Sequence, residues 1–323
     1  MIPIIGNSQS AEKKESSQNA ISKYSIKMDK NTKKTIAIPQ AEVVTVENAS
    51  KLQIFNSYYS RYLNSDVQNK DFSSLLKAHD LNPSNSELYF ELAKYYEMEQ
   101  NAAKKKEFCA KLKTVKLSPA LREYAYNTLM SVGQNGILIT YGEDDTYPIW
   151  ILQTIEGIRN DVKILNYDLM INEQYRNRKK KELGLNLAKS YGANIAILKD
   201  VAVKNKDKEV YYSLTVSHLV LKQLKSNLYP TGLALKYSRN KLENSQLIAT
   251  NWESKFLKNY VSSEANNSKD KKINMNYILP LMQLSKYYKE NNNTEKYEQT
   301  RTLILAIGEN GGRKTQVETL LNR

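Results

Sequence analysis

The chain has 323 residues, a net charge of +14 from 48 basic and 34 acidic side chains, and a single cysteine. Cys109 alone excludes an internal disulfide, and with only His79 and His218 beside it the chain lacks the material for a zinc or iron site or for Cys-His nucleophilic chemistry, so no metal and no cofactor is expected. No run approaches the roughly 18 apolar residues a membrane span needs, so no segment is expected to cross a bilayer, while association with a membrane complex stays open.

Most of the positive charge is lysine, spread along the chain with short clusters at Lys104–Lys106, Arg176–Lys181 and Lys269–Lys272. Base readout and bidentate phosphate recognition favour arginine, so nucleic acid is not expected as a partner.

Residues 1–48 are rich in Ser, Lys, Asn and Gln, with no sustained period and one β-prone patch near their end, which reads as a disordered leader or linker. The opening MIPIIGNSQSAEKKESS reads as a frayed terminus, or alternatively as the tail of an export signal. From residue 49 to 131 the pattern is helical. In NPSNSELYFELAKYYEMEQNAAKKKEFCAKLKTVKLSP, Tyr89, Leu92, Ala93 and Tyr96 share one helical face. A polar turn at Glu99–Asn101 and a second helix carrying Phe108 and Leu112 follow, a spacing like that of a tetratricopeptide repeat. Residues 249–323 repeat the device: LSKYY stands where LAKYY stood, with a turn at Asn291–Asn293 and a return helix.

Between them, residues 132–248 read as an α/β module. Ile137–Tyr141 is a short β-branched run, Tyr147–Ile158 is helical, and Asp161–Asn166 is a second run, a β-α-β unit that implies parallel strands. Helical spacing at Ile195, Leu198 and Val201, strands at Glu209–Ser217 and Gly232–Ser238, and a helix starting in NWESKFLKNY complete it. The expected fold class is therefore α/β: a small parallel-type layer flanked by tetratricopeptide-like helical hairpins.

The functional edge of such a layer lies at the carboxyl ends of its strands. Gly142, Glu143, Asp144 and Asp145 follow the first strand, Asp168 the second and His218 the third. In one reading the acids cap and brace a tight turn, with Thr146 or Asp145 as the cap and Pro148 in the first helical turn. In the other, Asp144, Asp145 and Asp168 gather around a divalent cation, sugar hydroxyls or a cationic ligand, or supply acid-base chemistry on a glycan, with Trp150 and Gln153 flanking a sugar. A bare phosphate is disfavoured, because carboxylates would repel it. GENGGRKT, residues 308–315, imitates a P-loop, but Arg313 stands at the place of the required glycine and a helix precedes it, so its glycines are expected to end that helix.

The string YGEDDTYPIWILQTIEGIRNDVKILNYDLM, with VYYSLTVS and YPTGLALKYS later, resembles the soluble carboxyl-terminal region of a multi-pass membrane-protein family common in Bacteroidota and classed as protein O-glycosyltransferase-like. Gly142, Asp145, Thr146, Pro148, Trp150, Gln153, Glu156, Gly157, Ile158, Arg159, Asp161, Val162 and Asn166 carry the likeness, which covers about residues 137–239. Glu143 and Asp144 depart from the Asp and Asn usual there. The resemblance implies the module's fold and a periplasmic or cell-envelope setting, and it transfers no catalytic residue, because the family's transferase portion is membrane-embedded. The expectation is a non-enzymatic accessory or scaffold protein binding a protein or glycan, with a glycan-acting hydrolase or transferase subunit as the alternative. The candidate ligand site is Glu143, Asp144, Asp145, Thr146, Trp150, Gln153, Asp168 and His218.

Overall fold

The structure, a computed structural model, describes the backbone of residues 40–322 and the side chains of residues 48–322, so most of the expected leader lies outside the described residues. Helix α1 (Gln40–Asn64) opens inside that expected leader, and Val43–Val46, the β-prone patch, belongs to it. The β preference of three valines is weak against a long helix that buries Phe55 and Tyr62 and packs on α2 (Phe72–Leu81). Asp71 caps α2 by accepting from the Ser74 N–H at 3.1 Å and from the Ser74 hydroxyl at 2.7 Å.

The two helical hairpins share one construction. Helices α3 (Tyr89–Met98) and α4 (Ala102–Val115) turn at Gln100, whose φ is 57°, and Asn101 caps α4 by accepting from the Lys104 N–H at 3.0 Å. Near the carboxyl end, α13 (Ile278–Glu290) and α14 (Thr294–Asn310) turn at Asn292, φ 56°, and Asn293 accepts from the Lys296 N–H at 3.1 Å. Even the closing bonds correspond: the Asn101 N–H donates to the Tyr96 carbonyl and the Asn293 N–H to the Tyr288 carbonyl, each at 2.9 Å.

Helix α5 (Pro119–Met130) begins with Ser118 as cap and proline at its first position, where a missing N–H costs nothing. The sheet follows: β1 (Ile137–Thr140), β2 (Lys163–Asn166), β3 (Val210–Ser213), β4 (Leu228–Pro230) and β5 (Ala234–Tyr237) lie in the order β2-β1-β3-β5-β4. Strands β2, β1 and β3 are parallel, whereas β5 runs antiparallel to β3 and β4 antiparallel to β5. The fold is α/β with a mixed sheet, parallel at its centre and flanked by helices. Strand β4 escapes the sequence pattern because it is three residues long and ends in Pro230, tolerable only at an edge.

The faces of the sheet feed two cores. Ile137, Ile139, Tyr212 and Leu235 join the large core shared with the hairpins, while Leu138, Tyr211 and Ala234 join a smaller one with Ala125 and Leu129 of α5. Helix α6 (Glu143–Thr154) runs between them and is buried continuously from Asp145 to Leu152, as expected of a helix without a solvent face.

Beyond the sheet, α11 (Ser245–Ser254) contains only the start of NWESKFLKNY and ends there, a correction to the helix expected to begin in that stretch. Two buried side chains of α5 capture the backbone that would have continued it. Glu123 accepts from the Asn259 N–H at 3.0 Å and the Tyr260 N–H at 2.9 Å, and Asn127 accepts from the Leu257 N–H at 2.8 Å. The remaining helices are α7 (Tyr167–Ile171), α8 (Glu173–Glu182), α9 (Ile195–Val203), α10 (His218–Leu224), α12 (Ser268–Asn274) and α15 (Lys314–Leu321).

Candidate functional site

The acidic turn is the first turn of α6. Gly142 caps it with φ 75° and ψ −175°, a conformation open essentially to glycine alone, and no side chain caps the helix. Neither Asp145 nor Thr146 is the cap, and Pro148 stands inside the helix rather than in its first turn, because the helix starts earlier than the proline suggests. Having no N–H, Pro148 cannot bond the Asp144 carbonyl four residues back. Three carboxylates in the first turn suit the positive end of the helix dipole.

Each of the three reaches a different part of the molecule. Glu143 forms an ion pair with Lys116 at the end of α4, 2.6 Å. Lys269 of α12 approaches Asp144 Oδ1 at 2.6 Å, a Coulombic contact rather than a directed hydrogen bond. Asp145 is buried and accepts from the Ser213 hydroxyl of β3 at 2.6 Å and from the Tyr141 N–H at 2.8 Å. Burial lifts the Asp145 carboxyl to about 6, against the lowering effect of Ser213, Thr215 and the Tyr141 amide. Thr146 donates to Thr140 and accepts from the Asn166 side chain, both at 2.9 Å and fully buried, which ties the ends of β1 and β2 to α6.

The rest of the conspicuous motif also builds the fold. Trp150 is buried, with Phe90 of α3 beside it and the Lys105 ammonium 4.1 Å from its ring centre. Gln153 donates to the carbonyls of Arg159 and Val162 at 2.9 and 2.8 Å. The Arg159 guanidinium donates to Asp161 and to the carbonyls of Leu129, Val132 and Gly133, closing the loops at the bottom of the sheet. Glu156 accepts from Arg122 and Lys113 on two helices packed against α6.

Asp168 lies beside this turn, next to the Gly142 amide. It sits in the first turn of α7, directly after β2, and faces α3 and the loop before α2. Burial raises its carboxyl, partly offset by Lys94, while Glu91 pushes it further up; the Gly142 amide and Lys70 act downward. Lys94 and Glu91 form an ion pair at 2.7 Å, and the Tyr62 hydroxyl of α1 donates to Glu91. Burial acts to lower the Lys94 ammonium, yet Glu91 and Asp168 together hold it above its ordinary value. Lys70 lies 5.2 Å from the centre of the Tyr62 ring. Tyr141 and Tyr167, the residues next to Gly142 and Asp168, meet with their rings tilted by 52° and their centroids 5.7 Å apart, and Tyr141 is 40 % exposed. This cluster offers hydrogen-bond donors and acceptors of both charges, with two aromatic rings near Asp168, a set suited to the hydroxyls and ring faces of a neutral polyol.

The structure thus brings Glu143, Asp144, Asp145 and Thr146 together in one turn but directs their side chains to separate hydrogen-bond and ion-pair partners, while Asp168 lies beside the Gly142 amide and acts with Glu143 on Lys94. His218, exposed at the start of α10, contacts none of them among the described interactions. No group of three His, Cys, Asp or Glu side chains is placed to hold a metal ion among the described residues. Sequence reasoning missed Glu91, Lys94, Lys70 and Tyr62. Their only signal was a Glu and a Lys three apart on a helix, an ordinary surface pair.

The sequence model of the family described as TMEM260-associated domain 2 matches residues 121–303, from α5 into α14. No curated protein and no solved structure matches the chain. The family match takes in most of α5, the whole sheet, the acidic turn and most of the second hairpin, more than half of the chain. On that extent of agreement, the chain belongs to the TMEM260-associated domain 2 family.

Proposed function

We propose that this chain is a non-enzymatic accessory or scaffold protein of a bacterial cell envelope that binds a protein or glycan partner. The supporting observation is the use made of the acidic turn: Glu143 pairs with Lys116, Asp144 with Lys269, and Asp145 with Ser213 and the Tyr141 amide, so its carboxylates join elements of the fold. The envelope setting rests on the resemblance to the soluble region of a Bacteroidota protein O-glycosyltransferase-like family, with which membership of the TMEM260-associated family is compatible. No described helix is long and apolar enough to cross a membrane. On this reading the rim formed by Tyr141, Tyr167, Asp168, Lys94 and Glu91 is where a glycan would rest.

A second reading, a glycan-acting hydrolase or transferase subunit, is favoured by one feature: Asp168 is a carboxyl raised by burial beside a cationic Lys94 and a second carboxylate. A single experiment separates the two. The full chain is applied to a glycan array and to the same glycans in solution, with Asp168→Asn and Tyr141→Ala alongside. Binding without turnover, weakened in Tyr141→Ala, supports the accessory reading. Product formation abolished by Asp168→Asn would replace it with the enzymatic one.

A further inference from the structure

The P-loop look-alike has a use that is not a P-loop. Its glycines end α14 in a Schellman turn: the Gly312 N–H donates to the Glu309 carbonyl at 3.0 Å and the Arg313 N–H to the Gly308 carbonyl at 2.7 Å, with Gly312 at φ 68°. Those amides are therefore engaged in the turn. The turn brings Gly311 so close to Met275 that a Cβ there would collide with the thioether sulfur.

This close approach joins the two sides of a groove of about 410 Å³, one side being the turn residues Asn310, Gly311 and Gly312. The opposite wall is a single helical face, Ser268, Lys271, Lys272, Met275 and Asn276, from α12 and the short 3-10 turn after it, at the spacing that aligns residues on one side. Arg313 completes the lining, which contains three cationic side chains and no carboxylate. The nearby acids are taken: Asp270 is buried and accepts from Ser118 at 2.6 Å, and Glu309 pairs with Lys314 at 2.9 Å. Lys271 and Lys272 have no side-chain partner among the described residues, and Arg313 makes one long contact with Gln316, 3.3 Å.

We propose that this groove binds a phosphoryl oxyanion attached to an organic body. Two lysines and one arginine supply the charge-assisted donors, with the Ser268 hydroxyl and the Asn276 amide beside them, and Met275 gives an apolar floor. The volume exceeds the need of a lone phosphate and matches the lower range of small-ligand sites. The Lys269–Lys272 cluster thereby divides by role: Lys269 braces Asp144, while Lys271 and Lys272 face the groove. The site is separate from the sheet rim and does not depend on the reading given above.

The phosphoryl group could come from a soluble phosphate compound or from a lipid headgroup, and two probes distinguish them. Inorganic pyrophosphate binding is measured by calorimetry at low salt, and flotation with phosphatidylcholine vesicles is compared with and without phosphatidic acid. The wild-type chain is compared with the triple variant Lys271→Gln, Lys272→Gln, Arg313→Gln, with the double variant Lys271→Arg, Lys272→Arg, and with Lys181→Gln as a remote charge control. Pyrophosphate affinity falling on the order of 30-fold or more in the triple variant, and retained in the arginine variant and the control, supports a soluble ligand. Flotation that needs phosphatidic acid, is competed by pyrophosphate and is lost in the triple variant supports a headgroup. Three results would overturn the proposal: neither probe binds, the triple variant binds like wild type, or the control loses as much. Single-stranded DNA displacing pyrophosphate at lower concentration would overturn it too, by marking a nucleic-acid groove.

Discussion

Asp145 is a carboxyl removed from water and offered two good donors, and the balance between these effects sets a measurable pH dependence. Burial raises it from 3.8 to about 6, so the folded state holds its proton more tightly than the unfolded chain does. The associated stabilisation is complete below the unfolded value and is lost as pH rises through the folded one, between about pH 4 and 6. Two pKa units correspond to roughly 3 kcal/mol. Asp145→Asn cannot titrate, so the stability of wild type relative to this variant should be greater at pH 4 than at pH 7 by about 2–3 kcal/mol. Urea titrations of both proteins across that range test it, and a difference that stays constant with pH would refute it. At Gly142 the backbone alone decides. Nothing lies within 4 Å of where a Cβ would be, yet φ 75° with ψ −175° disfavours any side chain. Gly142→Ala should therefore cost about 1–3 kcal/mol with no steric clash, read as a lowered urea midpoint at unchanged slope.

At the scale of elements, the two hairpins were legible because both signals are local: an apolar face at helical spacing, and a turn of polar residues. The structure adds that the turns are the same turn, with Gln100 and Asn292 at nearly equal positive φ. Asparagine tolerates that region better than glutamine. Replacing Gln100 with glycine should accordingly stabilise the chain by about 1 kcal/mol and Asn292→Gly by less, in paired thermal melts. Equal gains, or a larger one at Asn292, would contradict this account. The sheet was legible at β1, β2, β3 and β5, since short apolar runs bounded by turn residues announce strands, but not at β4. The acidic turn announced itself by charge, while its partners did not: Lys116, Lys269 and Ser213 lie far from it in the chain, and nothing local to Gly142–Thr146 names them. Asp168 was picked out by its place after β2, but Lys94, Glu91 and Tyr62 come from helices whose sequence reports only their own packing face.

Over the whole molecule, α5 is the element on which the parts are joined. Along one helix, Glu123 and Asn127 hold the backbone of residues 257–260, the Asn127 side chain also donates to the Tyr277 hydroxyl at 2.7 Å, and the Ser131 hydroxyl accepts from the Leu233 N–H at 2.8 Å. The other end of the helix begins at Ser118, which donates to Asp270 of α12 at 2.6 Å. The segment after the sheet, the 3-10 turn that leads into the second hairpin and the turn between β4 and β5 thus depend on polar groups from one buried surface, and a large core runs unbroken through both hairpins and the strands. A protein assembled this way should unfold as one unit despite its outward division into helical and sheet segments. Asn127 is fully buried and satisfies the Leu257 carbonyl, the Leu257 N–H and the Tyr277 hydroxyl, so Asn127→Ala leaves one buried and two half-buried polar groups without it. The expected loss is about 2–4 kcal/mol. Because the helix links the parts, that loss should appear as a shift of a single transition, with far-ultraviolet circular dichroism and tyrosine fluorescence of the variant moving together in urea. If the two probes separate, with helical signal persisting after the sheet has opened, the parts hold independently and α5 does not unite them.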